Sequence, residues 1–163
     1  KLVDDGKGLE SDPDVGGVVM GWMFGRCDEG VKLGNEWICH DEYVQVDHAE
    51  DPFDAFTRPV SNRSFLDFCK MIDLITGPEW AKKVPPELPV YNIAGDQDPV
   101  GQYGEGVYQV SNWMMAAGVS VETMLYSGYR HEIHNYDDLK DEVEEGIIEF
   151  FYSCILSGEV DFE

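Results

Sequence analysis

The sequence predicts an α/β fold with a parallel sheet, because two apolar strands alternate with two helical segments. The first strand, Val90 to Ala94, ends abruptly in the turn Gly95-Asp96-Gln97-Asp98-Pro99. The second strand runs from Val119 to Tyr126. Apolar residues at helical spacing lie between the strands, where Gly118 closes the helix, and again from Asp137 to Ser157. Strands that alternate with helices in this way pair in parallel.

The composition indicates one acidic globular domain. The chain has 163 residues, enough to bury a sizeable core, and a formal net charge of −22 from 33 acidic and 11 basic residues. Nucleic-acid binding and attraction to an anionic membrane both need basic surface, so both are disfavoured. No run of about 18 apolar residues is present, so no transmembrane helix is expected. The acidic residues are expected to form a solvated surface.

The four cysteines indicate a reducing compartment. Cys27, Cys39, Cys69 and Cys154 are scattered, and none forms a Cys-x-x-Cys pair. Such scatter is typical of buried thiols rather than of a disulfide framework, although a bridge between Cys27 and Cys39 stays open. A cytoplasmic location is therefore expected.

The first half of the chain contains short amphipathic segments. The glycine-broken stretch from Val15 to Phe24 fits either a helix or a hairpin, and the residues before it predict a polar loop. A short helix is expected to start near His40, and a second at Ser61 or Asn62, before Gly77-Pro78 ends it. Such pieces are more typical of a lid than of a sheet core. Their aromatic residues suit a cavity for an acyl chain.

Polar side chains follow both predicted strands. Asp98 comes directly after the first strand, in a turn stiffened by Pro99, and His131 follows the second strand after the flexible Gly128. Chemistry in open α/β sheets gathers beyond the carboxyl ends of strands. A carboxylate there can hold an imidazole in one tautomer. The order strand, Asp, helix, strand, His matches the last two members of a Ser–Asp–His triad in an α/β-hydrolase.

Two motifs carry a resemblance to a known family. The stretches LPVYNIAGDQDPVGQYGEGV and LYSGYRHEIHNY resemble the C-terminal half of α/β-hydrolase superfamily serine hydrolases of the lysophospholipase or monoacylglycerol lipase type. The segment NEWICHDEYVQVDHAEDPFDAFTRPVSNRSFLDFCKMI resembles the helical cap of that family. The resemblance covers roughly Gly34 to Phe151.

The resemblance implies a fold, a site and a substrate class. The fold is the C-terminal portion of an α/β-hydrolase parallel sheet with a helical cap, with the cap region at 1–80 and part of the core at 81–163. Asp98 is the triad acid and His131 the triad base. The implied substrate is an acyl-ester lipid, either a lysophospholipid or a monoacylglycerol, and the chemistry requires no cofactor and no metal.

The family's nucleophile motif is missing from this sequence. No Gly-x-Ser-x-Gly occurs, and none of the eight serines lies on a strand–turn–helix elbow. The chain begins at Lys1 and is shorter than the roughly 250 residues of a large single α/β domain. We therefore expect a missing N-terminal half, in cis or as a separate chain, to supply the serine and the oxyanion hole. This chain alone is expected to be inactive.

Two neighbouring residues compete for the triad positions. Asp96 lies two residues before Asp98, and in an extended backbone the two carboxylates point to opposite sides. His134 lies three residues after His131 and fits the start of the last helix. The resemblance favours Asp98 and His131, leaving Asp96 as a turn or helix-entry residue.

A metal site has weaker support in the sequence. Asp96, Asp98 and Gly101 fit the first, third and sixth positions of a calcium loop, but the fifth and twelfth are valines where oxygen ligands are needed. A second group of potential ligands matches no defined spacing; it comprises His40, Asp41, His48 and Asp51. We therefore predict no metal.

A non-catalytic remnant or interaction module is the alternative to an enzyme. The missing nucleophile favours it. The paired motifs around Asp98 and His131 argue against it, because a module without catalysis has no need of both.

Overall fold

The structure, a computed structural model, describes residues 1–14, 26–27, 32–53 and 60–158. In chain order the main elements are α1 Glu42–Glu50, α2 Asn62–Ile75, α3 Pro78–Ala81, β1 Val90–Gly95, α4 Glu105–Ala116, β2 Val121–Tyr126 and α5 Lys140–Ser157. A π-helical turn at Val3–Lys7 and a 3-10 helix at Ile133–Asn135 complete them. The undecided stretch from Val15 to Phe24 lies outside the described residues.

The two strands form a parallel pair. The register runs from Val90 opposite Val121 to Gly95 opposite Tyr126. This confirms the parallel pairing that the alternation of strands and helices predicts. The carboxyl ends of both strands therefore lie at the same edge of the sheet.

Helices cover both faces of this pair. On one face, Ser111 of α4 accepts hydrogen bonds from Asn92 of β1, at 2.9 Å, and Thr123 of β2, at 2.8 Å. On the other face, Phe150 of α5 stacks on Tyr91 of β1 with ring centroids 5.1 Å apart. The layers are those of an α/β fold, as the sequence predicts.

The strands are less buried than their apolar sequences predict. Glu122 and Met124 of β2 are exposed, Met124 by 43%. Because side chains alternate between the two faces of a strand, Glu122 and Met124 lie on the same face as Tyr91 and Tyr126. Helix α5 packs on this face at Tyr91 and Tyr126, but among the described residues nothing covers Met124 fully.

The helices begin later than their apolar patterns predict. Helix α4 starts at Glu105 rather than at Tyr103, because Gln102 and Tyr103 have positive φ angles of 53° and 55°. Helix α5 starts at Lys140 rather than at Asp137.

At α2 the expected cap is present, since the Ser61 hydroxyl accepts the Ser64 N–H at 3.2 Å.

The largest buried cluster joins distant parts of the chain. It packs Ile38 and Cys39 in the first half against Tyr126, Tyr136 and the start of α5. A second cluster lies under α4, where Met114 packs against Ala81 and Val119. Residues on both sides of position 80 therefore share the first core.

Helix α2 has a mostly exposed apolar surface. Its N-terminal end is held by the first ten residues, where a polar loop was predicted. The Asn62 side-chain amide donates to the Lys7 carbonyl at 2.9 Å, and the Asn62 backbone N–H donates to the Glu10 carbonyl at 2.8 Å. The exposed apolar side chains are Leu66, Phe68, Met71, Ile72, Leu74 and Ile75. An apolar face of this size marks a surface for another apolar group.

All four cysteines lie within the described ranges, and none forms a disulfide. Cys27, Cys39 and Cys154 are buried. The alternative of a Cys27–Cys39 bridge is therefore wrong. Among the described helices, none combines the length and the apolar character needed to cross a bilayer.

Candidate active site

The ends of the two strands meet where the sequence predicts the site. The backbone after β2 lies directly against the end of β1, and a Cβ added to Gly95 would come within 2.0 Å of the Tyr129 carbonyl oxygen. The Gln97 N–H donates to that same carbonyl at 2.9 Å. Glycine at position 95 therefore allows the loop that carries His131 to cross over the strand end.

Asp98 and His131 form a hydrogen-bonded pair. The Asp98 Oδ2 lies 3.0 Å from the His131 Nδ1. The side chain of Asp98 is 7% exposed and that of His131 is 38% exposed. With Nδ1 directed to the carboxylate, Nε2 is the ring nitrogen that remains for proton transfer. A buried acid thus orients a partly exposed base.

The backbone around Asp98 fixes its carboxylate. The Val100 N–H donates to Asp98 Oδ1 at 2.8 Å, so each carboxylate oxygen has a partner. The Tyr103 N–H donates to the Asp98 carbonyl at 2.8 Å. A Cβ added to Gly101 would lie 3.3 Å from Asp98 Oδ2, so the turn packs closely against the carboxylate.

Asp96 performs a different task from Asp98. Its Oδ1 accepts the Gly128 N–H at 2.7 Å, and its Oδ2 accepts the Ser127 hydroxyl at 2.8 Å. Asp96 lies in the turn after β1, as the sequence predicts. Its carboxylate also reaches across the sheet edge, where it holds the turn that follows β2 and leads to His131.

His134 and the potential metal ligands lie elsewhere. His134 is exposed in the 3-10 helix, while Asp98 bonds to His131. His40 bonds through Nε2 to the Gly128 carbonyl at 3.0 Å, and His48 Nδ1 lies 3.1 Å from the side-chain amide of Asn35. Across the described ranges, no group of three or more His, Cys, Asp or Glu residues is arranged to hold a metal.

The electrostatics of the pair favour the protonated imidazole. The hydrogen bond to Asp98 raises the pKa of His131 above its ordinary value, and the negative charge of that carboxylate adds to the increase. Partial burial of the ring opposes it. His131 is therefore a stronger base than a free imidazole.

Sequence reasoning missed the segment that supports His131. The Trp37 and His131 rings have centroids 5.1 Å apart and are tilted by 46°. The Glu132 N–H donates to the Ile38 carbonyl at 2.8 Å. The sequence places these residues in a cap segment far from His131, and no local signal links the two regions.

Six of the eight serines have side-chain hydrogen bonds, and the bonds of three of them are structural in an evident way. Ser61 caps α2, Ser111 bonds in the layer between α4 and the sheet, and Ser127 donates to Asp96. None of these three is paired with His131.

An open cleft of about 570 Å³ lies beside the loop after β2. Its lining is polar and aromatic, and it comprises His40, Asp41, Tyr43, Ser127, Gly128, Tyr129, Tyr136, Asp137 and Asp138. Neither Asp98 nor His131 lines it. We therefore place the candidate site at the pair and not in this cleft.

Solved structures show which proteins the chain is similar to. A highly thermostable carboxyl esterase from Bacillus coagulans, in complex with glycerol, is 54% identical over 93% of this chain, with a TM-score of 0.87. A lipase in an open form is 27% identical over 88% of this chain, with a TM-score of 0.78. No protein-family model matches the chain. No curated protein matches it either.

The chain spans about half the length of these two relatives, 49% of the esterase and 46% of the lipase. Two observations point to the same fold. One is the parallel strand pair with helices on both faces, and the other is the similarity to these two enzymes. The described part of the chain has the α/β fold of a partial α/β-hydrolase.

Proposed function

We propose that this chain provides the acid and the base of a serine ester hydrolase. The observation that carries the proposal is the 3.0 Å contact between Asp98 Oδ2 and His131 Nδ1 at the joined ends of two parallel strands. In this proposal Asp98 is the triad acid and His131 is the triad base. The similarity to an esterase and a lipase supports the same class of reaction.

The nucleophilic serine comes from a part of the protein that this sequence does not contain, in cis or in a separate chain. The sequence has no Gly-x-Ser-x-Gly elbow. The backbone donor that follows such a serine and contributes to the oxyanion hole comes with it.

The reaction follows from the orientation of His131. Nε2 takes the proton of the serine hydroxyl as the serine oxygen bonds to the ester carbon, and the imidazolium is stabilised by ionised Asp98. His131 then delivers that proton to the leaving alcohol as the ester bond breaks. Water, deprotonated by His131 in the same way, releases the acid and restores the serine.

The substrate in this proposal is an acyl-ester lipid, a lysophospholipid or a monoacylglycerol. Residues 1–80 act as the cap and residues 81–163 as part of the core. The exposed apolar side chains of α2 support this choice, since Phe68 and Leu74 are 50% and 72% exposed. An acyl chain is an apolar group of the right kind to cover such a surface.

A chimera tests the proposal. The part of the Bacillus coagulans esterase that this chain does not cover is joined ahead of it, because the nucleophile precedes the acid and the base in α/β-hydrolases. We expect the chimera to hydrolyse a short-chain acyl ester and to react with a fluorophosphonate probe at the added elbow serine. The 163-residue chain alone is expected to do neither.

The alternative, an interaction module without catalysis, gives the opposite results. It is favoured by the missing elbow, and it predicts a folded chimera with no hydrolysis and no labelling. Labelling of any serine in the chain alone would contradict both alternatives, because it would reveal a nucleophile within this sequence.

A further inference from the structure

The hydroxyl of Tyr136 lies at a junction between two distant segments. Tyr136 is 3% exposed and follows the 3-10 helix after His131. Its hydroxyl oxygen accepts the backbone N–H of Arg130 at 3.1 Å and the backbone N–H of His40 at 3.0 Å. Cys39 packs in the same buried cluster as Tyr136. One phenol thus joins the loop of His131 to the backbone of His40.

The Arg130 bond controls the peptide immediately before His131. A buried amide without a partner is unfavourable, so the chain is held where the Tyr136 oxygen can accept the Arg130 N–H. Burial raises the pKa of Tyr136 far above its ordinary value. The phenol therefore stays neutral over the whole working range of pH and keeps its own donor proton.

Further contacts hold the same loop to the same segment. The Glu132 N–H donates to the Ile38 carbonyl at 2.8 Å, and the Arg130 guanidinium donates to the Glu36 carbonyl. Residues on both sides of His131 are thereby tied to the segment that begins at Glu36, Arg130 by its side chain and Glu132 by its backbone. The Trp37 ring of that segment lies against the imidazole.

We propose that Tyr136 is a positioning residue for His131, acting through the backbone of Arg130 and without touching substrate. The inference rests on the proposed function for the role of His131 in a reaction. Its physical content is independent of that role: the Tyr136 hydroxyl fixes the direction of the His131 ring toward Asp98.

The test compares Tyr136→Phe with Tyr129→Phe in the 163-residue chain. Tyr129 is the matched control, because it packs edge-on against Tyr136 at 4.8 Å while its hydroxyl bonds to exposed Asp138. Nitrogen-15 NMR follows the His131 ring nitrogens through a pH titration. Hydrogen exchange follows the backbone amides of Arg130 and His40.

In Tyr136→Phe we expect both amides to exchange about tenfold faster, the equivalent of about 1.4 kcal/mol for one lost bond. The His131 pKa should fall toward its ordinary value, and the preference for the Nδ1–H tautomer should weaken. Tyr129→Phe should change neither the two amides nor the ring. A folded Tyr136→Phe chain with faster exchange but an unchanged His131 ring would overturn the proposal.

Arg130→Met provides a second test if Tyr136→Phe does not fold. It removes the guanidinium bond to the Glu36 carbonyl, keeps an apolar stem and leaves the Arg130 N–H bond to Tyr136 available. Because the Tyr136 bond is kept, we expect the His131 ring to retain its preference for the Nδ1–H tautomer. Loss of that preference in folded Arg130→Met would overturn the inference, because it would assign the orientation of the ring to the guanidinium bond rather than to the Tyr136 hydroxyl.

The two proposals fail separately. The NMR test needs no substrate, so an inactive chimera would reject the hydrolase and leave the positioning role of Tyr136 intact. An active chimera whose rate is the same with and without Tyr136→Phe would reject the positioning role and leave the hydrolase intact.

Discussion

The turn that carries Asp98 and the loop that carries His131 are held in different ways. The partners of Asp98 within its own turn come from nearby residues, Val100 and Tyr103. The loop of His131 is held from far away in sequence, by Asp96 at the other strand end and by the segment that begins at Glu36. The acid is therefore fixed by local sequence, whereas the base depends on the tertiary fold.

The difference has a consequence for mutations. Changes within the Asp98 turn should act on the acid alone. Changes in distant residues that touch the second loop should act on His131 while leaving Asp98 in place.

Gly95→Ala should have the largest effect, because it pushes the two strand ends apart. The added Cβ would lie within 2.0 Å of the Tyr129 carbonyl oxygen and 2.4 Å of the Arg130 carbonyl oxygen. Overpacking against backbone that cannot move aside costs about 3 kcal/mol. Urea unfolding of the two chains measures the difference.

Gly8→Ala is the control for that substitution. Gly8 has an ordinary φ of −63°, and an added Cβ would make contacts of 3.7 Å. It should change the free energy of unfolding by less than about 0.5 kcal/mol. Equal effects at both positions would contradict the close approach at Gly95.

Asp96→Ala should weaken the second loop and spare the Asp98 turn. It leaves the Gly128 N–H and the Ser127 hydroxyl without their carboxylate partner. We expect a loss of about 1.5 kcal/mol in the free energy of unfolding. Hydrogen exchange should quicken at Gly128 and stay unchanged at Val100. Faster exchange at Val100 as well would show that the two regions are not independently held.

The pH dependence of stability should reveal the Asp98–His131 bond, with a smaller effect. The pKa of His131 is raised in the folded state, so the folded chain binds this proton more tightly than the unfolded chain does. The stabilisation is complete below the unfolded pKa of about 6.5 and is lost as the pH rises through the folded pKa. Asp98→Asn should reduce this loss.

Urea midpoints at about pH 5 and about pH 9, measured for the wild-type chain and for Asp98→Asn, isolate that contribution, because the other titrating groups are common to both. The wild-type chain should lose more stability than Asp98→Asn between the two pH values. An identical loss in both chains would contradict a bond between Asp98 and His131.

The same contrast explains how much the sequence could predict. The parallel strands, the turn after β1 and the loop after β2 follow from local patterns, and the fold class is confirmed. The positive φ angles of Gln102 and Tyr103 shorten α4 in a way that apolar spacing does not reveal. The role of Asp96 and the support from Tyr136 could not be predicted, because their partners are remote in sequence.

The sequence does contain a signal for the contacts that Asp96 makes with Ser127 and Gly128. Ser127 and Gly128 follow β2 at the same edge where Asp96 follows β1, and a carboxylate opposite a hydroxyl and a free turn amide is a natural pairing. For Tyr136 no comparable signal exists. A buried tyrosine requires some partner, but the sequence does not say which backbone amides supply it.

The most direct test of the central claim is the ester hydrolysis rate of the chimera with His131→Ala, compared with His134→Ala. His134 is the matched control, since it is an exposed histidine three residues further along the chain. If Asp98 and His131 are the acid and base, His131→Ala should lower kcat by about 10⁴-fold, and His134→Ala should leave it within about twofold. An equal loss in both variants, or a chimera with His131→Ala that keeps its kcat, would contradict the claim.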